Sequence, residues 1–209
     1  MKRCIIIGGA PICDYEYIRE RVNKEDFFIY CDSGLKHKEK LGVSPNLIIG
    51  DFDSHSNPYL DIETIVLPVM KDDTDTACAA KEAIKRGFQD IILCGVTGGR
   101  QDHTLVNIFL LFRFDSYGIK ARIIDDYAEM EVLSPGSTAL IEDCYLYFSL
   151  VNMTGIARGI TIKNAKYNLS NAKIESENQY ATGNEVLPGK TAEVSIREGR
   201  VLLLKVRRE

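Results

Sequence analysis

Short apolar runs with the length of β-strands alternate with helix-like segments through the first 126 residues. Continuous apolar runs that end at glycine, proline or aspartate are typical of strands buried on both faces of a sheet. The segment 74–86 repeats small apolar residues with the spacing of one helical face and is followed by Gly87, so it predicts a helix with a glycine just past its end. Strands and helices that alternate in this way predict an α/β domain with a mainly parallel sheet. The predicted strands are residues 4–7, 27–31, 47–49, 62–67, 90–94 and 119–124, and the other helical segments are residues 15–22, 35–41 and 104–114.

The pattern changes after residue 126, where short strand-like runs are separated by turn residues such as Pro135-Gly136 and Pro188-Gly189. This spacing predicts an all-β, sandwich-like domain. The last two runs flank Glu198-Gly199 and are predicted to pair as a β-hairpin. We therefore predict two domains, residues 1–126 and 127–209. The predicted strands of the second domain are residues 128–133, 138–141, 145–150, 156–162, 192–196 and 201–206.

Composition and charge exclude some classes of partner. Apolar residues make up 45% and charged residues 27% of the 209, which is typical of a globular protein. The formal net charge of −4 gives no general attraction to nucleic acid or to an anionic membrane, so neither is an expected partner. No apolar run approaches the roughly 20 residues that a membrane-spanning helix needs. The acid excess lies in residues 1–126, where a metal site would require it.

The six cysteines are scattered without a C-x-x-C pair, which argues against a zinc site or a disulfide framework. The N-terminal Met1-Lys2-Arg3 leads directly into a strand, so we expect no signal peptide. The expected location is the cytoplasm.

Two carboxylates follow the third predicted strand, in the sequence Gly50-Asp51-Phe52-Asp53. In an extended chain alternate side chains point the same way, which would place Asp51 and Asp53 about 6.6 Å apart at the Cα atoms. Two carboxylates at that distance repel each other unless a cation lies between them or one is protonated. Mg2+ suits such a pair because it prefers oxygen ligands and leaves positions for water and substrate phosphate.

Other polar turns follow the strands of the predicted parallel sheet, and ligands of such sheets bind beyond the carboxyl ends of the strands. The turns expected to converge there are Gly8-Gly9, Asp32-Ser33-Gly34, Gly50-Asp51-Phe52-Asp53 and Gly98-Gly99-Arg100, with Lys71-Asp72-Asp73-Thr74-Asp75 opening the helix after the fourth strand.

Each of these residues also has a purely structural interpretation. Gly8-Gly9 fits an ordinary βα turn, Ser33 fits a helix N-cap, and Asp73 fits a capping residue beside the positive end of a helix dipole. Of the histidines, His37 and His55 are predicted to lie on the surface. Arg100 is better matched to an anion, since a guanidinium binds phosphate oxygens with two parallel hydrogen bonds. Taken together, the convergence of all these turns on one edge of the sheet predicts a site for a nucleotide and a metal.

The sequence lacks the G-x-x-x-x-G-K-[ST] loop of P-loop enzymes, the G-x-G-x-x-G fingerprint of dinucleotide-binding folds and the signatures of protein kinases. What remains is a carboxylate-rich metal centre with Lys71 and Arg100 supplying positive charge. That equipment suits phosphoryl or pyrophosphoryl transfer.

Four segments in the first domain carry a family resemblance. They are Asp32-Ser33-Gly34, Pro45-Asn46-Leu47-Ile48-Ile49-Gly50-Asp51-Phe52-Asp53-Ser54, Lys71-x-Asp73-Thr74-Asp75 and Gly98-Gly99-Arg100-x-Asp102-His103. In order and spacing they resemble the thiamine pyrophosphokinase family in its bacterial form. The resemblance implies an α/β nucleotide-binding domain followed by a β-sandwich that binds thiamine.

The resemblance also implies a reaction in which ATP and thiamine give thiamine diphosphate and AMP. Mg2+ is the implied cofactor, held by Asp51, Asp53 and Asp75, and Lys71 would offset charge on the transferred group. Either Asp75 or Asp53 would receive the hydroxyl proton. The residues implied to bind ATP are Gly8, Asp32, Ser33, Gly34, Arg100, Asp102 and His103.

The resemblance implies a homodimer and a thiamine pocket that uses the β-domain. Family members commonly carry a Ser-Asn-Glu block late in the chain, and this sequence has Asn184-Glu185 preceded by a glycine in place of the serine. The expected acceptor-binding residues are therefore Thr182, Asn184 and Glu185, with Tyr167 or Tyr180 available for ring stacking. Two alternatives stay open: a related Mg-dependent pyrophosphokinase that uses another small alcohol such as a pterin, and a non-catalytic nucleotide-sensing module.

Overall fold

The computed structural model describes residues 3–52, 61–70 and 72–208, and its backbone divides into two units, Met1–Asp126 and Tyr127–Glu209. The described part of the first unit has the strands β1 (Cys4–Ile7), β2 (Phe27–Cys31), β3 (Leu47–Gly50), β4 (Thr64–Val66), β5 (Asp90–Cys94) and β6 (Lys120–Ile124). They form a parallel sheet in the order β4-β3-β2-β1-β5-β6. Ile7 pairs with both Tyr30 and Cys94, so the three central strands end within one residue of one another at one edge of the sheet.

The helices of the first unit flank this sheet. They are α1 (Tyr15–Arg19), a 3-10 helix (Asp32–His37), α2 (Lys38–Leu41), α3 (Asp75–Lys85) and α4 (Gln101–Ser116). Helix α3 begins where the Thr74 hydroxyl accepts a hydrogen bond from the Ala77 N–H at 3.2 Å, and it is followed by Gly87 at φ +80°. Its buried alanines, among them Ala80 and Ala83, let it lie directly on β1, β2 and β3. The segment 35–41, predicted as one helix, is instead divided between the 3-10 helix and α2.

The second unit is built from antiparallel strands. They are β7 (Ala128–Leu133), β8 (Thr138–Glu142), β9 (Tyr147–Val151), β10 (Ile156–Lys163), β11 (Leu169–Glu175), β12 (Thr191–Ser195) and β13 (Val201–Val206). One layer has the order β7-β13-β9 and the other the order β11-β10-β12-β8. Side chains from both layers, including Phe148, Leu203, Ile160 and Val194, form a shared core. The fold class predicted from the sequence is confirmed in both units.

Two details of the second unit differ from the sequence prediction. The hairpin predicted around Glu198-Gly199 is wrong, because β12 pairs with β10 and β8 whereas β13 pairs with β7 and β9. The turn therefore carries the chain from one layer of the sandwich to the other. The sequence pattern does not predict strand β11, because Ile174 is its one fully buried side chain and the hydrophobic alternation that marks a strand is almost absent.

Within the part of the chain that the structure describes, no helix combines the length and the apolar character needed to cross a membrane.

Candidate active site

A cavity of about 650 Å³ opens at the carboxyl edge of the parallel sheet. The chain runs outward through β2, β3 and β4 on one side of β1 and through β5 and β6 on the other, so the strand order reverses between β1 and β5. Ligands of open α/β sheets bind in the crevice at such a reversal. The cavity lies there, between residues 9–11 after β1 and residues 95–100 after β5.

Three aspartates from separate elements meet in this cavity. Asp32 follows β2, Asp51 follows β3, and Asp75 is the first residue of α3. Each contributes a carboxylate oxygen to a group whose members all lie within 4.8 Å of one another. The convergence expected for Asp51 and Asp75 is therefore seen, and Asp32, which was predicted in the nucleotide pocket, lies beside them.

The position of Asp32 beside Asp51 depends on Gly50. A Cβ atom added at Gly50 would lie 2.6 Å from the Cβ of Asp32, which is closer than any real carbon contact. The next residue but one, Phe52, has φ +53°, a left-handed value that is rare outside glycine. The extended-chain geometry used to align Asp51 with Asp53 is thus wrong at Phe52, and Asp53 itself lies outside the described residues, as does Lys71.

The turn after β1 approaches its neighbours too closely for side chains. A Cβ at Gly8 would lie 2.5 Å from the carbonyl oxygen of Gly95, and one at Gly9 would overlap the Ser33 hydroxyl. Gly34 is likewise packed against the backbone of Ile7. Ser33 lines the cavity, whereas Gly8 and Gly34, which were also expected to bind ATP, do not line it and instead allow the close backbone packing beside it.

Arg100 and His103 line the cavity from the loop after β5 and the first turn of α4. The Arg100 guanidinium donates to the carboxylate of Asp102, with an Nε–Oδ1 distance of 3.2 Å. This hydrogen bond lowers the pKa of Asp102 to about 2 and raises the pKa of Arg100. Both side chains are exposed, so the ion pair can open at little cost when an anion competes for the guanidinium. Asp102 does not itself line the cavity.

The sequence analysis did not identify Asn107, a buried polar residue of the site. Asn107 lines the cavity and is buried, and its amide donates to the carbonyl of Val96 at 2.8 Å. The available signal was an asparagine inside the apolar run of α4.

His37, predicted on the surface, is 2% exposed. Its Nε2 lies 2.9 Å from the Ala10 carbonyl oxygen and must donate to it, which leaves Nδ1 to accept from the Tyr15 hydroxyl at 2.8 Å. The surface prediction is therefore wrong, and the ring supports a loop of the cavity.

Comparison with known proteins decides the family. The model "Thiamin pyrophosphokinase, catalytic domain" matches residues 18–123, and "Thiamin pyrophosphokinase, vitamin B1 binding domain" matches residues 138–201. The chain belongs to the thiamin pyrophosphokinase family.

Relatives of the family align along nearly the whole chain. A thiamine pyrophosphokinase of Bacillus subtilis is 27% identical over 194 residues, covering 90% of this chain and 91% of the relative. A Caenorhabditis elegans thiamin pyrophosphokinase is 23% identical, and the alignment covers 99% of this chain and 89% of the relative. The crystal structure of thiamine pyrophosphokinase from Bacillus subtilis superposes with a TM-score of 0.87 at 25% identity, covering 100% of both chains. The crystal structure of the thiamin pyrophosphokinase from Geobacillus thermodenitrificans has a TM-score of 0.83 at 25% identity, covering 99% of this chain and 97% of that one.

The predicted acceptor-binding residues fall inside the match to the family's vitamin B1 binding domain. Thr182 is exposed, and Glu185 forms a 2.7 Å ion pair with Lys166. Asn184 is buried, with its amide oxygen accepting from the Tyr167 N–H at 3.0 Å and its amide nitrogen donating to the Tyr167 carbonyl at 2.8 Å. Asn184 therefore has a structural role in this unit, whatever else it contacts.

Proposed function

We propose that this chain transfers the pyrophosphoryl group of ATP to the hydroxyl of thiamine, giving thiamine diphosphate and AMP. The observation that carries the proposal is the meeting of Asp32, Asp51 and Asp75 within 4.8 Å in a cavity at the strand-order reversal. A volume of about 650 Å³ is in the range for a small-molecule or cofactor ligand. Membership of the thiamin pyrophosphokinase family, with matches to both of its domains, favours thiamine over a pterin or another alcohol as the acceptor.

The three carboxylates fit Mg2+. Oxygen ligands of Mg2+ lie about 2.0–2.1 Å from the ion and hence about 3–4 Å from one another. The carboxylate oxygens of the cluster all lie within 4.8 Å of one another, which is close to that spacing. We propose Asp32, Asp51 and Asp75 as the ligands, with Asp53 as a further one. When bound, the ion neutralises charge on the phosphate oxygens.

The proposed roles of the protein residues concern alignment and charge. Arg100, released from Asp102, binds phosphate oxygens with its planar guanidinium. Ser33 and His103 hydrogen-bond the nucleotide from the cavity wall, and Lys71 offsets negative charge on the group in transfer. This arrangement holds the triphosphate so that the acceptor hydroxyl can approach the β-phosphorus in line.

In the reaction, the thiamine hydroxyl oxygen forms a bond to the β-phosphorus while the bond from that phosphorus to the α,β-bridging oxygen breaks. AMP leaves with the electron pair of the broken bond. The hydroxyl proton passes to a carboxylate of the site, Asp53 or Asp75.

For the acceptor, we propose that thiamine contacts the second unit through Thr182, Asn184 and Glu185. A homodimer and a cytoplasmic location are part of the same proposal. The location is in keeping with six cysteines that are all thiols.

An acceptor panel tests this function. The protein is incubated with ATP, Mg2+ and, in turn, thiamine, a pterin alcohol and other small primary alcohols, and AMP and the diphosphorylated product are quantified. We expect AMP release that depends on thiamine, at one AMP per thiamine diphosphate. AMP release only with another alcohol would show that this alcohol, and not thiamine, is the acceptor. Saturable ATP binding without AMP release would indicate a nucleotide sensor.

A further inference from the structure

Asp126, the second residue after β6, holds the far end of the loop that follows β1. It is a buried residue, and its carboxylate accepts from the N–H of Cys13 at 2.9 Å and from the N–H of Asp14 at 2.7 Å. These two N–H groups come directly before α1 and shortly after residues 9–11, which line the cavity. A charged acceptor with two backbone donors is a strong anchor.

Asp125 holds the second cavity loop. The hydroxyl of Thr97 donates to its carboxylate at 2.8 Å. Thr97 immediately precedes Gly98 and Gly99, at φ +89° and +65°, and these lead to Arg100. Two glycines in succession leave a loop with many accessible conformations, so the place of Arg100 depends on what fixes the residues beside them.

The two loops already touch at their bases. Ala10 N–H donates to the Gly95 carbonyl at 2.8 Å, just beyond the paired ends of β1 and β5. Neither Asp125 nor Asp126 lines the cavity, so their hydrogen bonds to the two loops are the contacts by which they can position groups around a ligand.

We propose that Asp125 and Asp126 are positioning residues that together set the two loops of the nucleotide pocket, and that they thereby determine the affinity for ATP. The inference rests on the proposed function in that ATP is taken as the ligand. Misplacement of binding groups by about 1 Å can cost on the order of 100-fold in an enzyme, so a loosened anchor has a measurable effect.

The test compares variants that remove an anchor with variants that keep it. Asp126→Ala, Asp125→Ala and Thr97→Val each remove hydrogen bonds, whereas Asp125→Asn and Thr97→Ser retain an oxygen acceptor or a hydroxyl donor. Asp26→Asn is the matched control: Asp26 is also buried and paired with Arg3, but it precedes β2 and so lies at the opposite edge of the sheet. The readouts are KM for ATP and kcat with Mg2+, the Kd for α,β-methylene-ATP by calorimetry, and the thermal midpoint.

We expect the anchor-removing variants to raise KM for ATP and the Kd by on the order of 10-fold with a smaller change in kcat. Asp125→Asn and Thr97→Ser should stay within about twofold of wild type. Thr97→Val combined with Asp125→Ala should cost no more than Asp125→Ala alone, because both changes remove the Thr97–Asp125 hydrogen bond. Asp26→Asn should lower the thermal midpoint without changing the KM for ATP or the Kd for α,β-methylene-ATP.

Unchanged constants in folded Asp125→Ala and Asp126→Ala would overturn the inference, as would an equal loss of ATP affinity in Asp26→Asn. If Asp126→Ala does not fold, Asp125→Ala and Thr97→Val are judged by the same criterion. A wild-type protein that binds the analogue but releases no AMP refutes the proposed function while the Kd values still decide this inference. Failure of the wild type to bind ATP refutes both.

Discussion

The carboxylate oxygens of Asp32 and Asp51 lie within 4.8 Å of each other, although the two residues follow different strands of the sheet. If they serve as metal ligands, Asp51→Asn or Asp32→Asn should lower kcat by at least about 100-fold, because charge stabilisation at the phosphates is lost. The free energy of unfolding should stay constant or rise by about 1 kcal/mol, since repulsion between like charges is reduced. Steady-state kinetics and urea unfolding measure the two effects.

Asp115→Asn is the control for that experiment, since Asp115 is half-buried like Asp51 but lies at the far end of α4. It should leave kcat within about twofold of wild type. A large loss of stability in Asp51→Asn would show that the carboxylate group is structural.

Gly50→Ala should impair the site without unfolding the protein. The added Cβ would lie 2.6 Å from the Cβ and 3.1 Å from the Cα of Asp32, so the Asp32 backbone must shift and carry its carboxylate away from Asp51 and Asp75. We expect kcat to fall by on the order of 10-fold or more. Gly42→Ala is the matched comparison: Gly42 has φ +70° and open space around it, so the change should cost about 1 kcal/mol of stability and leave kcat unaltered.

His37 should make stability depend on pH. Burial, and then the charges of Lys36 and Lys40, lower the pKa of His37 below its ordinary value, against the opposing effect of its hydrogen bond to Ala10. The unfolded chain therefore binds a proton that the folded chain does not, and the His37 contribution to stability is complete above about pH 6.5 and is lost as the pH falls through the folded-state pKa. Thermal midpoints between pH 8 and pH 5 should fall more steeply for wild type than for His37→Gln.

Tyr15→Phe provides the second arm, because it keeps His37 but removes the hydroxyl that needs a neutral Nδ1 as its acceptor. It should give an intermediate pH dependence. Identical slopes in all three proteins would contradict the assigned role of His37.

Lys205 is expected to contribute strongly to the stability of the second unit. It is 9% exposed, and its ammonium lies 2.9 Å from Glu131 and 3.4 Å from Glu129. Burial acts to lower its pKa, but the carboxylate of Glu131 and then that of Glu129 hold the pKa above its ordinary value. Lys205→Met would leave two carboxylates in this environment and should cost about 3 kcal/mol.

The exposed pair Lys163–Glu193, at 3.7 Å, is the control for Lys205. Lys163→Met should cost at most about 0.5 kcal/mol, since exposed ion pairs contribute little. Urea unfolding of both variants, together with Lys205→Met combined with Glu131→Gln, measures the difference; the double variant should recover part of the loss.

Thr182 and Asn184, the proposed acceptor-binding residues, should differ in whether their substitution also affects stability. Thr182→Val, at an exposed position, is expected to raise KM for thiamine several-fold while KM for ATP and the thermal midpoint stay constant. Asn184→Ala should in addition lose about 2 kcal/mol of stability, because the N–H and the carbonyl of Tyr167 both lose their hydrogen bonds to the buried Asn184 amide. An unchanged KM for thiamine in both variants would show that the acceptor binds elsewhere.

The sequence by itself determined the strands whose side chains are buried on both faces, the capped helix α3 and the two fold classes, because each depends on local hydrophobic spacing and on glycine or threonine at an element end. It also indicated that Asp51, Asp75 and Arg100 lie on one edge, since the carboxyl ends of parallel strands must meet there.

Only the tertiary structure decided which groups touch. It placed Asp32 beside Asp51, buried His37 against Ala10, and separated β12 from β13 into different layers, which a turn signal at Glu198-Gly199 could not reveal. Hydrophobic periodicity records which face of an element is buried, but not which residue of a distant element packs against it. The carboxylate cluster and the anchors at Asp125 and Asp126 depend on contacts of that second kind, between residues far apart in the chain.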